Sequence, residues 1–304
     1  MKRQNRMKEQ LRSFYRQLPF KRQLYRWLRM VCAPPRWLYQ HMYFEGLFEA
    51  DVYGAHFFMV NHNTSLETEV FWGGGAGYRD GVSLYLWARL CKQTQTILDI
   101  GANTGLFSLV AQALNPQSRV HAFEPIDRFA AELERNRRLN GFDIRVWRQA
   151  VSNHDGETVI YDLPLKQHYH ASLIESEASR HHGGGRLIKR NVQTISLDTF
   201  IQKQGLERVD LMKIDVEGYE PEVLEGMGDS LAAMRPTLLL EIQSDERARR
   251  IETVLKDLGY VYFDIDERSG LKPVSHLTRS STRNYLICSP AVAAKLGLVQ
   301  HGIH

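Results

Sequence analysis

The sequence predicts an α/β fold whose mostly parallel sheet is covered by helices on both faces. Three observations predict it. From Thr96 onward, short and almost continuously apolar segments alternate with helical patterns, as parallel strands buried on both sides do. The first of these strands runs into a Gly-x-x-x-Gly turn that opens a helix. The second ends on an acid followed by proline.

Taken in order, the strands fall at 96–100, 119–123, 144–150, 209–215 and 237–243, with two more at 260–265 and 284–288. Helical spacing covers 104–114, 127–140, 220–227 and 245–258. Upstream, a helix over 82–91 is preceded by a β-rich prelude at 42–72, punctuated by Gly46, Gly54 and Asn61-His62-Asn63. Gly73-Gly74-Gly75 and Gly77 read as a flexible link. Residues 163–191, with His168, His170, His181, His182 and Gly183 to Gly185, read as one long loop. The chain thus divides into a basic amphipathic helical segment at 1–36, the prelude at 37–80, the main domain at 81–290 and a tail at 291–304.

Composition narrows the class. The 304 residues are 43% hydrophobic and 24% charged, which is ordinary for a globular chain. No apolar run is long enough to span a bilayer, and no signal peptide is expected. Cys32, Cys91 and Cys288 are few, odd in number and far apart, which suits a reducing compartment such as the cytoplasm. The net charge of +4 is uneven: residues 1–36 hold 11 Lys/Arg and one acid, Glu9, and the rest is acidic. A basic binding face along the domain is therefore lacking, which argues against nucleic acid. Within 8–32, Leu11, Phe14, Tyr15 and Leu18 form one apolar stripe. Leu24, Trp27, Leu28 and Val31 form a second, with Pro19 between them. Such a segment suits a helix on an anionic membrane, at its inner face, or a helix docked on its own domain or on a second subunit of a homo-oligomer.

The chemistry lies in three motifs. In Ile97-Leu98-Asp99-Ile100-Gly101-Ala102-Asn103-Thr104-Gly105, the turn sits where open α/β sheets bind ligands. Its spacing differs from the pyrophosphate turn, and it lacks the Gly-Lys-Ser/Thr of a phosphate loop. Asp99 there suits a cation, and S-adenosylmethionine carries an ammonium and a sulfonium. In Val120-His121-Ala122-Phe123-Glu124-Pro125, Glu124 can accept both hydroxyls of a ribose. Ile126 could pack on adenine, and Gln149 could hydrogen-bond it. Asp99, Gly101, Ala102, Asn103, Gly105, Glu124, Pro125, Ile126 and Gln149 are thus the candidate cofactor-binding residues. In Lys213-Ile214-Asp215-Val216-Glu217-Gly218-Tyr219-Glu220, strand alternation puts Lys213 and Asp215 on one face. Glu241 closes the next strand at the same edge. Asp215 is the first candidate general base and Glu241 the second, with Lys213 a salt-bridge partner or catalytic neighbour; His154, His168 and His170 are loop alternatives. The ligand set for a metal is incomplete, so no metal is expected.

These three runs resemble the FkbM-type methyltransferases over roughly 70–265, most specifically at Asp215-Val216-Glu217-Gly218-Tyr219-Glu220. Val192 to Phe200, with Ser196-Leu197-Asp198, resembles the family's stretch before the fourth strand. The resemblance implies a class I, Rossmann-like methyltransferase: seven strands, mostly parallel, the last antiparallel, with the N-terminal helical and β-rich extension added. It implies S-adenosylmethionine as cofactor and O-methylation of a hydroxyl on a sugar, glycan, glycolipid or polyketide. Many relatives carry an aromatic-Glu pair upstream, whereas this chain has Tyr78-Arg79-Asp80-Gly81; Asp80 is the candidate replacement. The competing readings are a dinucleotide-dependent oxidoreductase, which needs the missing pyrophosphate turn, and an inactive scaffold that binds cofactor without transfer.

Overall fold

A computed structural model describes residues 20–32, 34–162, 171–172 and 187–298. The first apolar stripe, at 11–18, lies outside the described residues. The second belongs to helix α1 (Lys21–Val31), followed by the short α2 (Arg36–Tyr39). Tyr25 docks α1 on the domain, its ring 5.2 Å from Trp72 and 6.2 Å from Phe44.

The expected β-rich prelude holds a single hairpin. Strands β1 (Glu45–Val52) and β2 (Ala55–His62) pair antiparallel. Tyr53 and Gly54, both at positive φ, make the two-residue turn that matches strand twist. The hairpin leads into helix α3 (Ser65–Gly77), so the flexible glycine link does not exist. The helix kinks at Gly74, φ 58°, where a Cβ would lie 2.7 Å from the Asp51 carbonyl oxygen. A Cβ on Gly75 would overlap the Tyr53 ring. The glycines there let the hairpin press on helix backbone.

Helix α4 (Gly81–Cys91) leads into the main sheet. Its parallel strands are β3 (Thr96–Ile100), β4 (Arg119–Phe123), β5 (Ile144–Trp147), β10 (Leu211–Ile214) and β11 (Thr237–Glu241). Antiparallel β14 (Asn284–Cys288) lies between β11 and β12 (Val261–Asp266). An eighth strand, β13 (Gly270–Val274), pairs with β12 at the edge, one more than expected. The order is β13-β12-β14-β11-β10-β3-β4-β5. The seven inner strands have class I methyltransferase topology.

Alternation sends side chains to two cores. Ile97 of β3 joins the core under α4 and α5 (Leu106–Leu114), while Leu98 and Ile100 join the other. Helix α6 (Asp127–Asn140) follows β4. The second core is closed by α7 (Leu197–Gln204), α8 (Glu220–Glu225), α9 (Gly228–Met234) and α10 (Asp245–Leu255). The predicted strand 144–150 breaks in two. After β5, Ala150–Ser152 forms β6, which leaves the main sheet to pair with β9 (Ile188–Ser196). With β7 (Gly156–Asp162) and β8 (Ala171–Ser172) these make a second, four-stranded sheet. The expected loop 163–191 therefore contains strand at 171–172 and from 188 on. Its four histidines lie outside the described residues. Asp162, fully buried, is held by Arg128 and Arg190. The expected tail starts with helix α11 (Pro290–Leu296).

Candidate active site

The turn after β3 is tied to β4. The N–H groups of Gly101 and Ala102 both donate to the Phe123 carbonyl, at 3.0 and 2.9 Å. Gly101 takes φ 79°, and a Cβ there would overlap the Asp215 carbonyl oxygen. The glycine is thus required by the neighbouring loop as well as by any ligand. Gly105 sits at the N-cap of α5, packed on Leu133 and away from the cavity wall.

Glu124 anchors the turn from the other side. Its Oε2 accepts from the Asn103 N–H at 2.9 Å and its Oε1 from the Ile126 N–H at 2.8 Å. Burial pushes its carboxyl up to about 7, against those two hydrogen bonds. Each oxygen keeps a second lone pair for a ligand hydroxyl.

A cavity opens at the carboxyl edge of β3, β4 and β10. Gly101, Ala102, Asn103, Glu124, Pro125 and Gln149 line it, as expected. Phe129, Val151 and Ile160 add apolar lining, and Tyr78, Arg79, Lys213, Asp215 and Glu217 add polar and charged lining. Apolar lining, a buried carboxylate and a group of charged side chains suit the adenine, ribose and methionyl parts of S-adenosylmethionine.

Besides Gly105, two expected residues lie off the cavity wall. Asp99 is fully buried behind the wall, its Oδ2 accepting from Ser108 Oγ at 2.6 Å. Asp99 shares a strand face with Ile97, which packs under α5, and its register partner on β10 is Lys213, so it supports α5 and faces that ammonium. Ile126 is 2% exposed and packs with Phe129, Ala150, Ile160 and Val192, off the cavity wall. Phe129, one turn into α6, supplies the apolar face instead.

Lys213 reaches Asp215 Oδ2 at 2.9 Å and lies 4.6 Å from the Phe107 ring centroid. Burial opposes its charge, but Asp215 and Asp99 outweigh it and raise the ammonium's pKa. Lys213, Asp215 and Phe107 also line a second, smaller cavity with Asp80, Ser83, Glu241 and Asn284. Glu241 and Glu217 are bridged by Gln243 Nε2, at 3.2 and 2.9 Å. Burial, then the charges of Asp215 and Glu217, pushes the Glu241 carboxyl up to about 7. His154 lines neither cavity; His168 and His170 are outside the described residues.

Three further residues, Glu67, Glu69 and Glu267, belong to no sequence motif. Glu67, fully buried, accepts from Thr104 Oγ1 at 2.8 Å and is pushed up to about 7 by burial. Glu69 accepts from the Arg79 N–H at 3.0 Å and so orders the wall segment. Glu267 caps α4 through Val82 N–H and Ser83 Oγ and receives Asn284 Nδ2 at 3.2 Å. Two acids in the otherwise apolar run Leu66 to Trp72 are the available signal for the first pair. Glu220, fully buried, accepts from the Val216 and Gly218 N–H groups and shapes the 215–219 loop.

The sheet order and the site together define a class I methyltransferase fold with S-adenosylmethionine as its cofactor. The family model for the methyltransferase FkbM domain matches residues 99–262, and the chain belongs to that family. Among curated relatives, the AMB antimetabolite synthetase AmbE of Pseudomonas aeruginosa is 30% identical over 60% of this chain, a match spanning 10% of AmbE. The methyltransferase sdnD of Sordaria araneosa is 32% identical over 54% of this chain and 73% of its own length. The 2-O-methyltransferase NoeI of Sinorhizobium fredii is 30% identical over 47% of this chain and 62% of its own.

Proposed function

We propose that the chain methylates a hydroxyl on a small-molecule or glycan acceptor: a sugar, glycan, glycolipid or polyketide. The observation that carries this reading is the second cavity. It shares Phe107, Lys213 and Asp215 with the cofactor cavity and has a carboxylate, Glu241, on its wall. That NoeI is named a 2-O-methyltransferase supports an oxygen acceptor.

S-adenosylmethionine, when bound, supplies a methyl group already activated on a sulfonium. The chain has to align the acceptor oxygen with it, which is worth roughly 7–11 kcal/mol. It also has to take the hydroxyl proton as the C–O bond forms and the C–S bond breaks, worth about 10²–10⁴-fold. Two observations favour Glu241 for the proton over Asp215. Asp215 is engaged by Lys213 at 2.9 Å. Glu241 is held near 7, where a base is half free and still basic enough to draw the proton. Asp215 and Lys213 then act as the pair that orients the acceptor. Asp80, held by Asn284 Nδ2 at 3.3 Å, offers a further hydroxyl acceptor on the same wall.

The test is transfer of labelled methyl groups from S-adenosylmethionine to a panel of glycans, glycolipids and small hydroxylated compounds. The expected result is an alkali-stable methyl ether on one class, lost in Glu241→Gln while cofactor binding persists. Cofactor binding by the native chain with no transfer to any acceptor class would favour the scaffold reading.

A further inference from the structure

The outer face of α1 carries a feature that lies apart from the site. After Phe20 at the left-handed N-cap, Leu24, Trp27 and Val31 recur at spacings of three and four residues and so form one stripe of the helix. All are exposed: 74, 55, 58 and 65%. Met30 flanks them at 79%, and Trp37 and Leu38 of α2 continue the patch. Of the eleven large exposed apolar side chains among the described residues, seven fall between 20 and 38. This stripe is not the docking face of the helix, because Tyr25 and Leu28 face the core. A concentrated apolar patch on one helix face marks an interaction surface.

We propose that this stripe docks the protein on an anionic bilayer. Charge selects the occupant. Residues 1–36 hold eleven Lys/Arg against Glu9 alone, and Arg26 stands exposed beside Trp27. A second copy of the chain would bring the same positive segment against itself, which is unfavourable. An anionic leaflet attracts each basic residue and receives the apolar stripe at headgroup depth, where tryptophan is favoured. A nucleic-acid backbone would satisfy the charge but has no apolar layer to take Leu24, Trp27 and Val31. Among the described residues no helix is long and apolar enough to cross the bilayer, so the contact is peripheral. Through Tyr25 on Trp72, α1 rests on α3, whose end leads into Tyr78 and Arg79 at the cavity wall.

The experiment is sedimentation of the full chain with vesicles of phosphatidylcholine alone, or of phosphatidylcholine and phosphatidylglycerol in equal parts. The native chain should pellet with the anionic vesicles, stay in solution with the neutral ones, and be released by high salt. The double variant Leu24→Glu, Trp27→Glu should bind on the order of tenfold or more weakly, with its thermal shift by S-adenosylmethionine unchanged. Both side chains are exposed, so folding is not at stake. Equal pelleting of native chain and variant, or no pelleting of a folded native chain, overturns the proposal. So does a native dimer by sedimentation velocity that the double variant turns into a monomer without any vesicle binding, since the stripe is then a self-contact.

Discussion

The Cα hydrogen of Gly101 faces the carbonyl oxygen of Asp215, with no room between them for a methyl group. The Asp215 N–H in turn donates to the Ile100 carbonyl at 3.0 Å. The turn at Gly101 and the loop that starts at Asp215, both lining the larger cavity, are therefore one packed unit. Gly101→Ala should cost about 2–5 kcal/mol, from positive φ and from overlap. Gly141→Ala, also at positive φ but with open space around it, should cost only about 1–2 kcal/mol. Denaturant unfolding of the two variants checks this. Equal losses would mean that the loop contact is unimportant.

Glu124 and Asp99 separate a residue on the wall from one behind it. Glu124→Ala removes an acceptor that holds Asn103 and Ile126 and leaves two N–H groups at the cavity edge unpaired. Cofactor affinity should fall on the order of 10²-fold, or about 3 kcal/mol. Asp99→Asn keeps an acceptor for Ser108 Oγ and should change affinity only a few-fold, while altering stability. Calorimetric titration of both with S-adenosylhomocysteine decides. A comparable loss in Asp99→Asn would place Asp99 in direct contact with the cofactor.

The contrast between these two acids shows what a sequence can carry. A strand, a turn and an acid at fixed spacing locate the edge of the sheet, so Gly101, Asn103, Glu124 and Gln149 were legible. Which way Asp99 points depends on whether it is the last residue of the strand or the last but one. One residue decides between wall and interior. The second sheet was illegible for another reason. Its strand β6 is three residues long and follows β5 after only Arg148 and Gln149, so its apolar residues read as a continuation. The glycines at 73–77 mislead because glycine signals both a loop and a close packing contact. Only the hairpin lying on them distinguishes the two. Alternation placed Asp215, Lys213 and Glu241 at one edge, and the sequence alone put Asp215 ahead of Glu241 as base, the reverse of the order proposed above. The proposed order rests on Lys213 beside Asp215 and on Glu217, Gln243 and Arg283 around Glu241, the last at 3.5 Å, which come together only in three dimensions.

The pH dependence of transfer tests the role proposed for Glu241. As a base it acts in its ionised form, so the rate should rise with pH through about 7 and level off above. Glu241→Gln should lower kcat by about 10²–10⁴-fold and remove that rising limb, with cofactor affinity nearly unchanged. Asp215→Asn frees Lys213 from its partner and should raise the KM for the acceptor as well as lower kcat. If Asp215→Asn rather than Glu241→Gln abolishes the limb, the proton goes to Asp215.

Stability should respond to pH in the opposite sense. Glu67 and Glu220 are both fully buried, and burial pushes them up to about 7 and about 8. In the unfolded chain each titrates near 4.5. Between those values the folded state holds a proton that the unfolded state has released. Their contribution is therefore complete below about pH 4.5 and is lost as pH rises through 7 to 8. The loss is on the order of 3 kcal/mol for Glu67 and 5 kcal/mol for Glu220. Carboxylates held low, such as the exposed Asp155 beside Ser196, act the other way only under strongly acid conditions. The melting temperature should thus fall between pH 5.5 and pH 8.5. Glu67→Gln keeps an acceptor for Thr104 Oγ1 and cannot ionise, so it should flatten that fall and be more stable than the native chain at the alkaline end. A native melting temperature that holds constant across this range would mean that Glu67 and Glu220 stay charged in the folded protein.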